Sequence, residues 1–228
     1  MAIFRYGEVE LAHLCACDVK LAEAIDAIGP VEREVDPDLF SSVMHHIIGQ
    51  QISTKAQATI WARMRETLGE VTPETVLAAS VSELQSLGMT FRKVGYLQEF
   101  ARRVESGAFD LDAVAAMSDE DAIAALDALP GIGRWTAEMI LLFCLERPDV
   151  LAFDDLAIQR GMRMLYHHRR ITPQLFAKYR RRYSPYGSTA SLYLWAIAGG
   201  AIPGMRDWAP KSVPKAASKA APKRKGAQ

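Results

Sequence analysis

Apolar residues recur at three- and four-residue steps along Val43–Leu68, Asp119–Leu129 and Thr136–Leu145, with few breakers inside the runs. That period places them on one face of an α-helix, and such a face must be covered by a second element. Start signals recur along the chain. Thr72-Pro-Glu-Thr, Ser80-Val-Ser-Glu, Ser118-Asp-Glu-Asp and Thr172-Pro-Gln-Leu each set a hydroxyl that can cap free amides ahead of an acid, a proline or both. Alternating strand patterns with paired turn residues are scarce. The chain therefore reads as all-α, with roughly ten helices at the mean helix length, arranged as one large domain or two lobes sharing an interface. Half of its 228 residues are apolar, enough for a core without disulfides or metal.

No apolar run approaches the ~18 residues that span a bilayer, and Met1 to Glu8 lacks the layout of a secretory signal. The expectation is a soluble protein inside the cell, in the cytoplasm with a bacterial nucleoid or in a eukaryotic nucleus. Cys15, Cys17 and Cys144 cannot build a disulfide framework, and without a cluster of four cysteines an iron–sulfur centre is excluded. Acids and bases balance at 27 each, yet six of the bases lie in the Ala/Pro/Lys stretch from Lys211 onwards. That stretch has no apolar face to bury, so residues 209–228 read as a disordered basic tail behind a domain over 1–208. With the body net acidic, no global charge argument for nucleic acid is available, only a local one.

Leu129-Pro-Gly-Ile-Gly-Arg-Trp-Thr-Ala-Glu-Met is the most informative segment. A helix ends near Ala128, glycines turn the chain, and a second helix begins. Glycines leave the turn's amides uncovered, and amides at a helix N-terminus can hold a phosphate. An ordinary helix–helix turn could use the same residues. Downstream, Val150-Leu-Ala-Phe-Asp154-Asp155-Leu ends an apolar run in two acids. One acid of such a pair caps the next helix; the other is free to serve as a partly desolvated carboxylate.

Together these segments resemble the helix-hairpin-helix (HhH-GPD) DNA glycosylase superfamily, in its 3-methyladenine DNA glycosylase II (AlkA/Mag-like) branch. Three further segments match in order. Ile47-Ile-Gly-Gln-Gln-Ile-Ser-Thr-Lys-Ala is similar to an early helix and wedge, Leu87-Gly-Met-Thr-Phe-Arg-Lys-Val-Gly-Tyr-Leu to a middle segment, and Tyr186-Gly-Ser-Thr-Ala-Ser-Leu-Tyr-Leu-Trp195 to the helix closing a base pocket. The resemblance covers about residues 40–205 and implies a two-lobed helical bundle whose active-site cleft lies between the lobes.

By resemblance Asp155 is the catalytic carboxylate, with Asp154 the expected cap, and Trp135 and Trp195 are pocket aromatics. Met139 occupies a pocket position where relatives often carry tyrosine. Trp135 also stands where lyase-type relatives carry a nucleophilic lysine, which implies a monofunctional hydrolase. Gln51 matches the wedge that fills the hole left by a flipped base, with Gln50 second. Gly131, Gly133, Arg134, Thr136, Lys55 and Lys93 are the expected phosphate contacts. Carbonyls of Asp127, Leu129 and Ile132 match those that bind a structural Na⁺ or K⁺; no other cofactor is implied. The implied partner is double-stranded DNA with a damaged base, bound by a monomer that excises alkylated purines in base excision repair. Two alternatives stand beside this: a glycosylase for mismatched uracil or thymine or for oxidised or deaminated purines, and a non-catalytic module that only grips DNA. His45-His46 and His167-His168 read as partly exposed histidines, because adjacent side chains on a helix diverge by about 100° and cannot share one ion.

Overall fold

A computed structural model describes residues 2–210, so the expected tail beyond 210 lies outside the described residues. Among those residues the chain forms thirteen helices and one pair of two-residue strands. In order these are β1 (Ala2–Ile3), α1 (Glu8–Cys17), α2 (Val19–Ile28), β2 (Glu34–Val35), α3 (Leu39–Gly49), α4 (Thr54–Leu68), α5 (Pro73–Ala78), α6 (Val81–Ser86), α7 (Phe91–Glu105), α8 (Leu111–Ala116), α9 (Asp119–Asp127), α10 (Arg134–Phe143), α11 (Leu156–Tyr166), α12 (Pro173–Tyr183) and α13 (Gly187–Ala198). The strands pair antiparallel, Ala2 opposite Val35. At two residues they are too short to show alternation, so the sequence gives no sign of them. No helix among the described residues is long and apolar enough to cross a membrane.

The caps form where the sequence places them. Thr72, Ser80, Ser118 and Thr172 each accept a backbone N–H in the first turn of α5, α6, α9 and α12. The periodic run Val43–Leu68 differs from expectation: it is two helices, broken at Gln50–Ser53. Ser53 Oγ caps α4 through Ala56 N–H (3.2 Å). Lys93 Nζ donates to the carbonyls of Ile48 (2.7 Å) and Gln50 (2.6 Å), placing a cation where a helix end carries negative partial charge. Apolar periodicity runs through such a break, because the second helix resumes facing the same core.

Two lobes result. Helices α3 to α10 pack among themselves, while α1 and α2 from one end of the chain join α11, α12 and α13 from the other. Helix α13 is apolar nearly all round and buried accordingly. Its polar residues bind the preceding loop: Ser188 Oγ accepts Val150 N–H (2.9 Å), Ser191 Oγ donates to the Val150 carbonyl (2.9 Å), and Gly187 N–H meets Asp149 (3.0 Å). The segment leading to Asp154 and Asp155 is thereby fixed to α13. Helix α11 packs closely on α13, because Gly161 lies directly beneath the Leu194 carbonyl and leaves no room for a Cβ. A Gly161→Ala protein is therefore expected to lose about 1–3 kcal/mol of stability from this overpacking, read as a lower urea midpoint at unchanged m-value.

Candidate active site

The hairpin joins α9 to α10. Ile132 N–H closes the turn on the Leu129 carbonyl (3.0 Å). Gly131 has φ of 87°, and a Cβ there would collide with the Tyr96 ring, so only glycine suits the position. Gly133 caps α10 without a side chain, where Asp, Ser or Thr caps most other helices, which leaves the first amides of α10, over Arg134 to Thr136, without a side-chain acceptor. Arg134 reaches Glu138 (3.3 Å) and is otherwise exposed; burial pushes the Glu138 carboxyl up, against the pull of that guanidinium. Lys55 is exposed in the first turn of α4. Lys93 corrects the expectation: its ammonium is tied to the end of α3 rather than held out to a phosphate, and burial lowers its pKa. The carbonyls of Asp127 and Ile132 accept no hydrogen bond from another described residue, and that of Leu129 accepts one. Neutral, under-used oxygens of this kind fit a hard cation held by carbonyls.

Asp155, not Asp154, caps α11, contrary to the expected division of the pair. Its Oδ1 accepts Ala157 N–H (2.9 Å), Ile158 N–H (2.8 Å) and Trp195 Nε1–H (3.1 Å), and its Oδ2 accepts Trp135 Nε1–H (3.0 Å). The residue is 7 % exposed, while Asp154 points into solvent. Capping and lining the cleft are thus done by one carboxylate, and the helix N-terminus favours its negative charge.

Asp155, Trp135, Trp195, Met139 and Thr136 line one cleft of about 1130 Å³ between the lobes. Trp195 stacks on Phe143 (centroids 5.5 Å apart, planes at 21°), and Trp135 stays 44 % exposed at the rim. Gln51 lines the same cleft with φ of 56°, in the turn after α3 rather than on a helix. Gln50 lines the cleft too, but its Nε2 is committed to the Gly131 carbonyl. The opposite wall was missed by sequence reasoning: Ser42, His45, His46 and Gly49 of α3, Gln57, Trp61 and Arg65 of α4, and Arg33 to Asp36. The signal for the α3 wall is the i, i+3, i+4, i+7 spacing from Ser42 to Gly49, a single helix face. His45 and His46, read as partly exposed histidines, are half-buried and line the cleft; burial lowers the pKa of each and raises that of Asp36. Among the described residues no group of three His, Cys, Asp or Glu could hold a metal ion.

The family model for HhH-GPD superfamily base excision DNA repair proteins matches residues 44–185. The chain belongs to the HhH-GPD superfamily. A DNA-3-methyladenine glycosidase from Bacillus halodurans has a similar structure, with a TM-score of 0.78 and 33% identity over 87% of this chain and 93% of that one. A 3-methyladenine DNA glycosylase of Schizosaccharomyces pombe, solved in complex with abasic DNA, gives 0.73 and 27% identity over 83% of this chain and 96% of that one. By sequence, DNA-3-methyladenine glycosylase 1 of the same yeast is 28% identical over 80% of this chain and 84% of its own length. The chain spans 59% and 58% of longer relatives from Bacillus subtilis and Escherichia coli. The matched HhH-GPD region holds the hairpin and Asp155, while Trp195 lies past its end.

The dual role of Asp155 makes a separable prediction about stability. Asparagine caps helices about as well as aspartate, whereas alanine costs about 0.5–2 kcal/mol. Asp155→Asn can keep the cap on its one oxygen while losing the Trp135 bond on the other side, so it is expected to unfold somewhat below the wild-type denaturant midpoint and Asp155→Ala distinctly lower still.

Proposed function

We propose that this chain is a monofunctional DNA glycosylase that hydrolyses the N-glycosidic bond of alkylated purines in duplex DNA, acting as a monomer at the first step of base excision repair. The observation that carries the reading is Asp155, held on both oxygens and lying in an open cleft beside Trp135 and Trp195. A module that merely grips DNA has no use for a carboxylate so placed.

A purine methylated on a ring nitrogen is cationic. When the bond from the sugar C1′ to the base nitrogen breaks, its electron pair neutralises the base, and positive charge develops on the sugar. A fixed anion in a water-poor site stabilises that charge without reorganising. Oδ2 of Asp155 has one of the four donors, so it is the oxygen with room for the sugar or for the incoming water. Water then adds at C1′ and its proton passes to the carboxylate or to solvent. Trp135 supplies no amine, so no Schiff base forms there and the backbone stays intact. The indole N–H groups are bound to Asp155, leaving the ring faces to meet a cationic base.

Flipping the base into the cleft leaves a gap in the stack. Gln51 fills it, at the mouth of the cleft, while the amides of Gly133 to Thr136 take a phosphate beside it, with Arg134 and Lys55 adding charge. A monovalent cation on the Asp127, Leu129 and Ile132 carbonyls would steady the turn and has no part in the chemistry.

Base release from randomly methylated duplex DNA tests the assignment. The wild type is expected to release 3-methyladenine, and Asp155→Asn to release it about 100-fold more slowly or worse, the scale of losing a preorganised electrostatic group. Equal rates would move the role to another residue, and no release by the wild type would overturn the activity. For the wedge, Gln51→Ala is expected to weaken turnover on duplex DNA while sparing a lesion that is already unpaired, measured on matched oligonucleotides. Equal losses on both substrates would count against Gln51.

A further inference from the structure

The α3 wall of the cleft contains a group that neither the hairpin nor the carboxylate accounts for. His46 Nδ1 lies 2.8 Å from the carbonyl oxygen of Ser42, one turn back on the same helix. A carbonyl can only accept, so Nδ1 carries the proton and Nε2 is left with its lone pair. Burial disfavours the charged ring and keeps it neutral. Nε2 has no hydrogen-bond partner among the described residues, and the ring lines the cleft that holds Asp155 and the tryptophans. Polar side chains such as Ser42, Gln51, Gln57, Thr136 and Arg65 also line the cleft, but its aromatic and apolar walls read little of a base's edge. Trp135 and Trp195 have given their N–H groups to Asp155, and Met139 and Phe143 are apolar.

We propose that His46 is a specificity-determining residue: its Nε2 accepts a hydrogen bond from the extruded base and favours an amino group at the purine 6-position, as in 3-methyladenine, over the carbonyl oxygen of 7-methylguanine. The inference rests on the glycosylase reading above. A fixed acceptor facing an amine makes a hydrogen bond, whereas facing a carbonyl it sets lone pair against lone pair and leaves both groups unsatisfied. Sites built around such a pairing discriminate more sharply than apolar walls of similar shape. His45 offers no such fixed acceptor, because no carbonyl among the described residues sets its tautomer and its ring packs on Trp61 (centroids 5.1 Å apart).

Single-turnover release of both bases from methylated duplex DNA is the test, comparing wild type with His46→Phe and His46→Gln. Phenylalanine keeps the ring and removes the acceptor, and glutamine can return an oxygen near the place of Nε2. Release of 3-methyladenine is expected to fall about tenfold in the phenylalanine variant, with 7-methylguanine changed less than about twofold, and glutamine is expected to restore the preference. Equal falls for both bases, no change, or no rescue by glutamine would overturn the proposal. A second readout does not depend on turnover: ¹⁵N imidazole spectra of the wild type should show His46 protonated on Nδ1, with the Nε2 signal shifting when free 3-methyladenine is added. An Nε2-protonated ring, or no shift at saturating base, would overturn it too. Should the wild type release neither base, the glycosylase reading fails, and the spectra still decide whether Nε2 is an acceptor for this purine.

Discussion

Asp155 accepts hydrogen bonds from three elements at once: the first turn of α11, the Trp135 indole on α10 and the Trp195 indole on α13. Helix α10 belongs to one lobe, α11 and α13 to the other, so this carboxylate sits where the lobes meet. Burying an ionised carboxylate is costly unless its oxygens are satisfied, and here four N–H donors satisfy them. The same bonds fix the plane of the carboxyl and the tilt of both indoles. Loosening any one of them would disturb the cap, the pocket and the lobe contact together.

Reaching that arrangement depends on the path of the chain. The lobe that carries α11 and α13 also contains α1 and α2, so its core closes only when residues from both ends have come together. Ser188, Ser191 and the Gly187 amide then hold the approach to Asp155 at Asp149 and Val150. These are buried, polar, short-reach contacts of the kind that specify one register rather than add much stability. The Arg33–Asp36 segment is anchored likewise, through Asp36 N–H on the Phe143 carbonyl (2.9 Å), which completes the far wall of the cleft.

Much of this was legible in the sequence, and the rest was hidden for physical reasons. Hydroxyl caps announce helix starts because the local backbone decides them, so Thr72, Ser80, Ser118 and Thr172 read correctly. The turn between α9 and α10 is legible for the same reason, since Gly131 sits at a positive φ that favours glycine. Which of two adjacent acids caps α11 depends on where the helix begins to within one residue, a boundary that propensity resolves poorly. Trp195 entered the site by resemblance alone, since nothing local connects it to Asp155. Lys93 looked like a free cation because its partners, the carbonyls of Ile48 and Gln50, lie more than forty residues away. His46 shares one helix face with Ser42, His45 and Gly49, a pattern to which the divergence of adjacent side chains, an argument against a metal pair only, is blind.

The hairpin and the wedge turn are mechanically one unit. Gln50 gives its amide to the Gly131 carbonyl, and Lys93 holds the Gln50 carbonyl from α7. The following residue, Gln51, is left in the left-handed region at φ of 56°, a conformation that costs a non-glycine residue about 1–2 kcal/mol and persists only when its surroundings impose it. The two flanking bonds impose it. A phosphate held at the α10 amides would therefore sit at a set distance from the Gln51 side chain, because both depend on Gly131. On the proposed function, insertion of Gln51 as a wedge and alignment of the sugar with Asp155 would then follow from one docking event. Backbone strain at Gln51, unexplained by packing of Gln51 itself, is what such a coupling leaves behind.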